Sequence, residues 1–294
     1  TIEGFARHPE DACQYNPKAR FRPFVVYDHR SGGYKPTDNT TGDRFNIDAV
    51  TGGVQFDLVQ MFSFGVGYGY TWGRIDGDTD AGKLHTRSNS AIAYFRLGCL
   101  GPVHVDGQAV STWSRFDSYR NAEDGSVSTA EYNGWELGGQ LRVMVDFNVD
   151  QFHIMPIAAV RYAYQDTDAY QENGNRDEAL HVTGYNADQL YSELGINFSR
   201  PVGGDKGKFV PQCGISWLHQ YFDDNRQVQT AFEDTFINPA EVSIDGSDRN
   251  FGKANVGFDA LFGESSAIFF NADTIFSEHM KFTWDLRAGV KVGF

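Results

Sequence analysis

The chain has 294 residues, a formal net charge of −14 at pH 7, 15% aromatic residues and 32 glycines. Phosphate backbones are bound by Lys and Arg that neutralise them, so this acidic balance excludes a nucleic-acid partner. No run of eighteen apolar residues occurs, which excludes a transmembrane helix.

The chain does not begin with Met and lacks a basic region followed by an apolar one, so it reads as a mature or trimmed piece. Residues 1 to 20 contain Pro9 and Pro17 and no sustained period. They are expected to be an irregular lead-in: a plug for a lumen or the remnant of a linker.

From residue 21 to 294 a two-fold alternation recurs about every twenty residues. The predicted strands fall near 21 to 30, 46 to 58, 62 to 73, 87 to 97 and 103 to 116, then around 135 to 145 and 152 to 165. Five more lie around 190 to 198, then near 209 to 221, 251 to 262, 267 to 276 and 281 to 294. In the third, Phe62, Phe64, Val66, Tyr68, Tyr70 and Trp72 oppose Ser63, Gly65, Gly67, Gly69 and Thr71, a face too aromatic for water. In the last, Phe282, Trp284, Leu286, Ala288, Val290, Val292 and Phe294 oppose Lys281, Thr283, Asp285, Arg287, Gly289, Lys291 and Gly293.

The connections alternate as well. Short turns are expected around Gln60, Gly98 to Pro102, Asn148 to Gln151, Pro201 to Gly207 and Gly263 to Ser266. Long polar loops are expected near 31 to 45, 74 to 86, 117 to 132, 166 to 187 and 222 to 250. An even strand number, one rim of turns, one rim of loops and an apolar face backed by a charged or Gly-rich one mark a transmembrane antiparallel β-barrel of the bacterial outer membrane. Lipid offers no hydrogen bonds, so the sheet must close and leave no edge.

One face of the predicted wall collects charge. Glu136, Arg142, Arg161, Glu193, Asp259, Asp285, Arg287 and Lys291 all fall on the inner side, where charges in a narrow channel need partners. His104 and Asp106 share a strand face at i and i+2, a spacing open to two metal ligands but read here as inner-wall polarity, so no metal or cofactor is expected. Cys13, Cys99 and Cys213 are too few and scattered for a disulfide framework or a zinc site; a single bridge between Cys13 and Cys99, both near the turn rim, stays open. Ser192 beside Glu193 lacks the elbow that makes a serine a nucleophile.

Four stretches carry a resemblance: MPIAAVRYAYQDTDAYQENG at 155 to 174, YSELGINFS at 191 to 199, VPQCGISWLHQYFDD at 210 to 224, and the terminal strand ending in Phe294. In order and spacing the chain from residue 21 onward resembles the β-domain of autotransporters, the type V secretion translocators. The resemblance implies twelve strands, both chain ends on the periplasmic side, and a barrel that anchors and helps carry an N-terminal passenger, attached upstream of residue 1, to the cell surface. It also implies that Phe282, Trp284, Leu286, Val290, Val292 and Phe294 form the signal read by the barrel-assembly machinery. Some members cut their own passenger with an Asn and lumen carboxylates; no matching Asn in a linker helix is present, so no enzyme is expected. A free-standing structural barrel or adhesin with acidic loops, and a narrow diffusion channel, are the alternative readings.

Overall fold

The computed structural model describes residues 21–36, 41–59, 61–121, 125–175, 179–204, 207–222, 226–232, 240–244, 248–262 and 266–293. The strands in chain order are β1 (Phe21–Gly32), β2 (Asp43–Val59), β3 (Phe62–Gly77), β4 (Gly82–Leu100), β5 (Val103–Asn121) and β6 (Val127–Val145). They continue with β7 (Phe147–Val149), β8 (Phe152–Thr167), β9 (Tyr170–Gln171), β10 (Leu180–Val182), β11 (Tyr185–Ser199) and β12 (Val202–Gly204). The last six are β13 (Gly207–Gln220), β14 (Arg226–Phe232), β15 (Ala240–Ile244), β16 (Asn250–Phe262), β17 (Ser266–Phe276) and β18 (Thr283–Lys291).

Twelve of these make a closed antiparallel wall. Its order is β1, β2, β3, β4, β5, β6, β8, β11, β13, β16, β17, β18, and β18 pairs back onto β1. This closing seam runs from Phe24 opposite Lys291 to Ser31 opposite Trp284. The start of β1, the end of β18 and the short connections at 59–62, 100–103, 145–152, 199–207 and 262–266 lie on one rim, the turn rim. The opposite rim is the hairpin rim.

Alternation sorts the side chains. Outward positions carry exposed apolar groups such as Tyr68, Ile215 and Val256, the last two 62% and 59% exposed. Lipid, which is as apolar as these side chains, is the solvent they suit. Inward positions carry buried polar groups, including Gln55, Arg142, Glu193, Asn271 and Arg287. Small apolar clusters interrupt that polar lining, one of them Phe24, Val26 and Phe269 with Ile92 and Tyr94 against it.

The glycines of the inner face are covered rather than open. A Cβ on Gly65 would sit 2.3 Å from the Tyr94 ring, and one on Gly53 would sit 2.5 Å from the end of Phe24. The missing side chains therefore make room for aromatic rings lying across neighbouring strands. Tyr94 completes the fit by donating its hydroxyl hydrogen bond to Gln55 Oε1 (3.3 Å).

The segments expected as long loops are in large part strand. Arg74 pairs with His85 and Asp76 with Lys83, so β3 and β4 run on together past residue 73. Likewise Asp117 pairs with Glu131 and Asn121 with Val127. A membrane crossing needs only about 9–11 residues, whereas β4, β5 and β6 have 19 each. Above the membrane the outer face meets water instead of lipid, so the residues lose the alternation that reveals a strand while backbone pairing continues.

Parts of the two acidic stretches, 166 to 187 and 222 to 250, form a second, four-stranded sheet in the order β15, β14, β10, β9. It is tied to the wall. Tyr170 stacks on Tyr132 at 4.2 Å, and Tyr132 on Phe116 at 5.0 Å. Glu172 accepts hydrogen bonds from Arg120 Nε (3.0 Å) and Nη2 (2.6 Å) and from the Leu180 backbone N–H (3.0 Å).

Candidate functional site

The densest charge on the inner wall lies at the closing seam. Arg287 is almost fully buried and donates from Nε to Asp28 Oδ2 (3.0 Å) and from Nη2 to Asp285 Oδ2 (3.4 Å); its Nη1 is 4.0 Å from Asp273. Arg30 donates from Nη2 to the same Asp285 oxygen (3.0 Å). Asp28 stands directly opposite Arg287, and Arg30 directly opposite Asp285. Alternate positions of one strand thus carry minus then plus, and the facing strand carries plus and minus in the matching order. Lys291, only 1% exposed, faces inward nearby, opposite Phe24 on one side and Ala267 on the other.

Three further groups line the wall. Arg161 Nη2 lies 2.6 Å from Glu193 Oε2, and Lys253 Nζ lies 3.7 Å from Glu193 Oε1. Arg142 pairs with Asp106 at 3.0 Å. Near the turn rim Arg22 pairs with Asp57 at 2.8 Å, and Asp57 accepts a hydrogen bond from Gln55 (2.7 Å). Buried ions need such partners, because an unpaired one keeps its full desolvation penalty.

Of the eight charged residues singled out in the sequence, the structure joins Asp285 to Arg287 and Arg161 to Glu193. Arg142 joins Asp106, the residue weighed above as a metal ligand. Glu136 is half-buried between Thr112 and Gln165, with no ion pair among the described residues. Asp259 is buried opposite Val210 and Phe269. Among the described residues no group of three or more His, Cys, Asp or Glu is placed to hold a metal. Cys13 and Phe294 lie outside the described residues.

Sequence reasoning missed Asp28, Arg30, Asp273, Lys253, Arg22 and Asp57. A signal existed for some of them: Arg22, Asp28 and Arg30 share one parity in a strand whose other parity holds Phe21, Val25 and Tyr27.

The terminal strand presents its apolar parity outward. Phe282 is 74% exposed, Val290 and Val292 are also exposed, and Trp284 and Leu286 are partly covered. The Trp284 ring lies 4.9 Å from that of His29 across the seam.

A closed twelve-stranded antiparallel barrel with an apolar outer wall and a charged, paired inner wall is an outer-membrane barrel. The family model described as autotransporter beta-domain matches residues 25–273, and the chain belongs to that family. It is similar to the translocator domain of the autotransporter NalP from Neisseria meningitidis, with a TM-score of 0.75, 15% identity, and coverage of 98% of this chain and 93% of that one. Similar too is the β-domain of the Bordetella autotransporter BrkA, with a TM-score of 0.68, 14% identity, and coverage of 94% and 100%. The transport unit of AIDA-I from Escherichia coli gives a TM-score of 0.56 at 12% identity, with coverage of 99% and 98%. No curated protein matches the sequence. The protein is the outer-membrane translocator barrel of an autotransporter, the part that carries a passenger across that membrane.

Proposed function

We propose that the turn rim faces the periplasm, that the passenger chain joins at residue 1, and that residues 1 to 20 enter the lumen from that rim. The observation that carries this is the shared rim: β1 begins, and β18 ends, beside the short turns. Any segment preceding Phe21 therefore meets the barrel at the mouth of its lumen. Twelve strands leave an interior wide enough for about one helix or one extended chain. The inner-wall groups Glu136, Arg142, Arg161, Glu193, Asp259, Asp285, Arg287 and Lys291 then act as a fixed polar lining, and the ion pairs made by Arg142, Arg161 and Arg287 keep those charges from trapping a passing chain. The outward residues Phe282, Trp284, Leu286, Val290, Val292 and Phe294 present the assembly signal to the barrel-assembly machinery and afterwards to lipid. We assign the barrel no catalytic role.

An epitope-tagged reporter fused ahead of Thr1, expressed in a Gram-negative host, tests the reading. The reporter should become accessible to antibody and protease on intact cells. A reporter that stays periplasmic while the barrel assembles, as judged by its heat-modifiable migration, would overturn it.

A further inference from the structure

The outer wall is not uniform around its circumference. Among the described residues, the outward positions of the wall strands carry Lys or Arg only on β2, β3, β4 and β5. The register stacks them in rows. Tyr70, Asn89, Trp113 and Trp135 stand side by side on β3, β4, β5 and β6. One step toward the hairpin rim come Trp72, Arg87 and Arg115, and one step further Arg74, His85, Asp117 and Glu131.

An aromatic row marks the membrane interface of a barrel, and the row above it lies at headgroup level. A guanidinium there costs little, and it meets the phosphates of the leaflet. The arginine side chains are each about half exposed. Their carboxylate partners sit on the water side. Arg74 pairs with Asp76 (2.6 Å), Arg87 with Asp117 (2.5 Å), and Arg115 with Glu131, and every one of these acids is on the hairpin-rim side of its arginine. The membrane side of Arg87 and Arg115 holds Trp113 and Tyr70 instead. Arg has five N–H donors in a planar fork that fits phosphate. Among the described residues, Arg87 donates from one nitrogen, Nη2, to Asp117.

We infer that this face is a binding site for a phosphorylated glycolipid of the outer leaflet, with Arg87 and Arg115 holding a phosphate and the aromatic row lying along the acyl chains. The inference rests on the orientation proposed above, with the hairpin rim outside.

Diphosphoryl lipid A, titrated into detergent-purified barrel and followed by native mass spectrometry, is the test. Wild type should hold one lipid per barrel, and Arg87→Gln with Arg115→Gln should weaken binding by about tenfold. Arg200→Gln, at the turn rim where Arg200 lies 5.4 Å from the Phe152 ring centroid, should leave binding unchanged. Binding by the double variant within about twofold of wild type would overturn the site. So would equal binding of lipid A stripped of its phosphates, or full displacement by millimolar inorganic phosphate. The phosphate comparison uses wild type alone, so it decides the matter even if the double variant fails to fold. Micelles have no sides, so failure there sinks the lipid site alone. A tag inserted in the β5–β6 hairpin that antibody reaches only in lysed cells would instead sink the orientation.

Discussion

Two sectors of the wall solve the problem of strand pairing differently. In the β3–β5 sector, neighbours in sequence pair through hairpins, so register follows from the turn and inner positions are free to be Gly, Ser or Thr. Outward charge in that sector forms pairs as close in sequence as Arg115 and Glu131, while its inward charges are few, Arg96 and Asp106 among them. At the seam no turn connects the strands. Arg287 meets Asp28 across 259 residues of chain, and Arg30 meets Asp285 across 255. The side chains themselves must define the register there. A slip of one residue would turn the charged parity toward lipid. A slip of two, in either direction, would set Arg30 against Arg287 or Asp28 against Asp285. Like charges would then face each other inside the wall. Charge order at the seam does what a turn does elsewhere.

Breaking that order should give the largest effect. Arg287→Asp leaves Asp28, Asp273 and Asp285 without their shared cation, and removing one partner of a buried ion network costs about 3–5 kcal/mol. Urea unfolding in detergent should show the loss, and adding Asp28→Arg should restore part of it. A single variant as stable as wild type would show that backbone pairing alone sets the seam.

The outer wall comes next. Arg115 is tolerated at the rim, but Val256→Lys, near the middle of β16 and facing lipid, should cost about 2–4 kcal/mol. Refolding yield into lipid vesicles of graded thickness reads this. If Val256→Lys folds as well as wild type, the outward face of β16 is not in hydrocarbon.

Inner packing in the hairpin sector should be worth less. Gly65→Ala pushes against the Tyr94 ring and should destabilise by about 1–3 kcal/mol, with Tyr94→Ala in the same chain removing the clash. Thermal conversion of the heat-modifiable band measures both. The same reasoning applies at the seam, where a Cβ on Gly289 would lie 2.3 Å from Phe269, so inward-facing Gly289 is not a tolerant position.

The smallest effect lies outside the membrane, between β17 and β18. His279 contacts Asp248 at 2.5 Å from Nδ1 and donates its backbone N–H to the same carboxylate (2.8 Å). That bond, then the charge of Asp248, holds the His279 pKa above its ordinary value. Burial pushes Asp248 upward, but hydrogen bonds from Ser277 and His279 outweigh it, and its pKa is lowered. A raised histidine contributes stability below its unfolded pKa and loses it as pH rises through the folded one. A lowered aspartate contributes above its unfolded pKa and loses stability as pH falls through the folded one. The pair is therefore intact between the two folded-state values. Titration of the His279 ring by NMR should give a midpoint above ~6.5, returning toward it in Asp248→Asn; a midpoint unmoved by that change would remove the pairing.

The wall could be read in the sequence because lipid imposes one rule on every crossing. Each outward position must be apolar, so the alternation of Phe62 to Trp72 or of Trp284 to Val290 marks a strand without knowledge of its neighbours. The hairpin extensions obey no such rule. Arg74 to Asp76 and Asp117 to Asn121 carry polar residues on both parities, so they read as loops although their backbones are paired. The small sheet of β9, β10, β14 and β15 is illegible for a different reason: β9 has two residues and β10 three, too few for a period to show. The inner wall was half legible. Parity alone put Asp285, Arg287, Arg161 and Glu193 inside, because the face opposite lipid has to be the lumen. At the seam, which charge meets which is decided only when the ring closes and brings β1 against β18. Ion pairs depend on distances of a few ångströms, and a distance between residues some 259 positions apart is a property of closure rather than of local sequence.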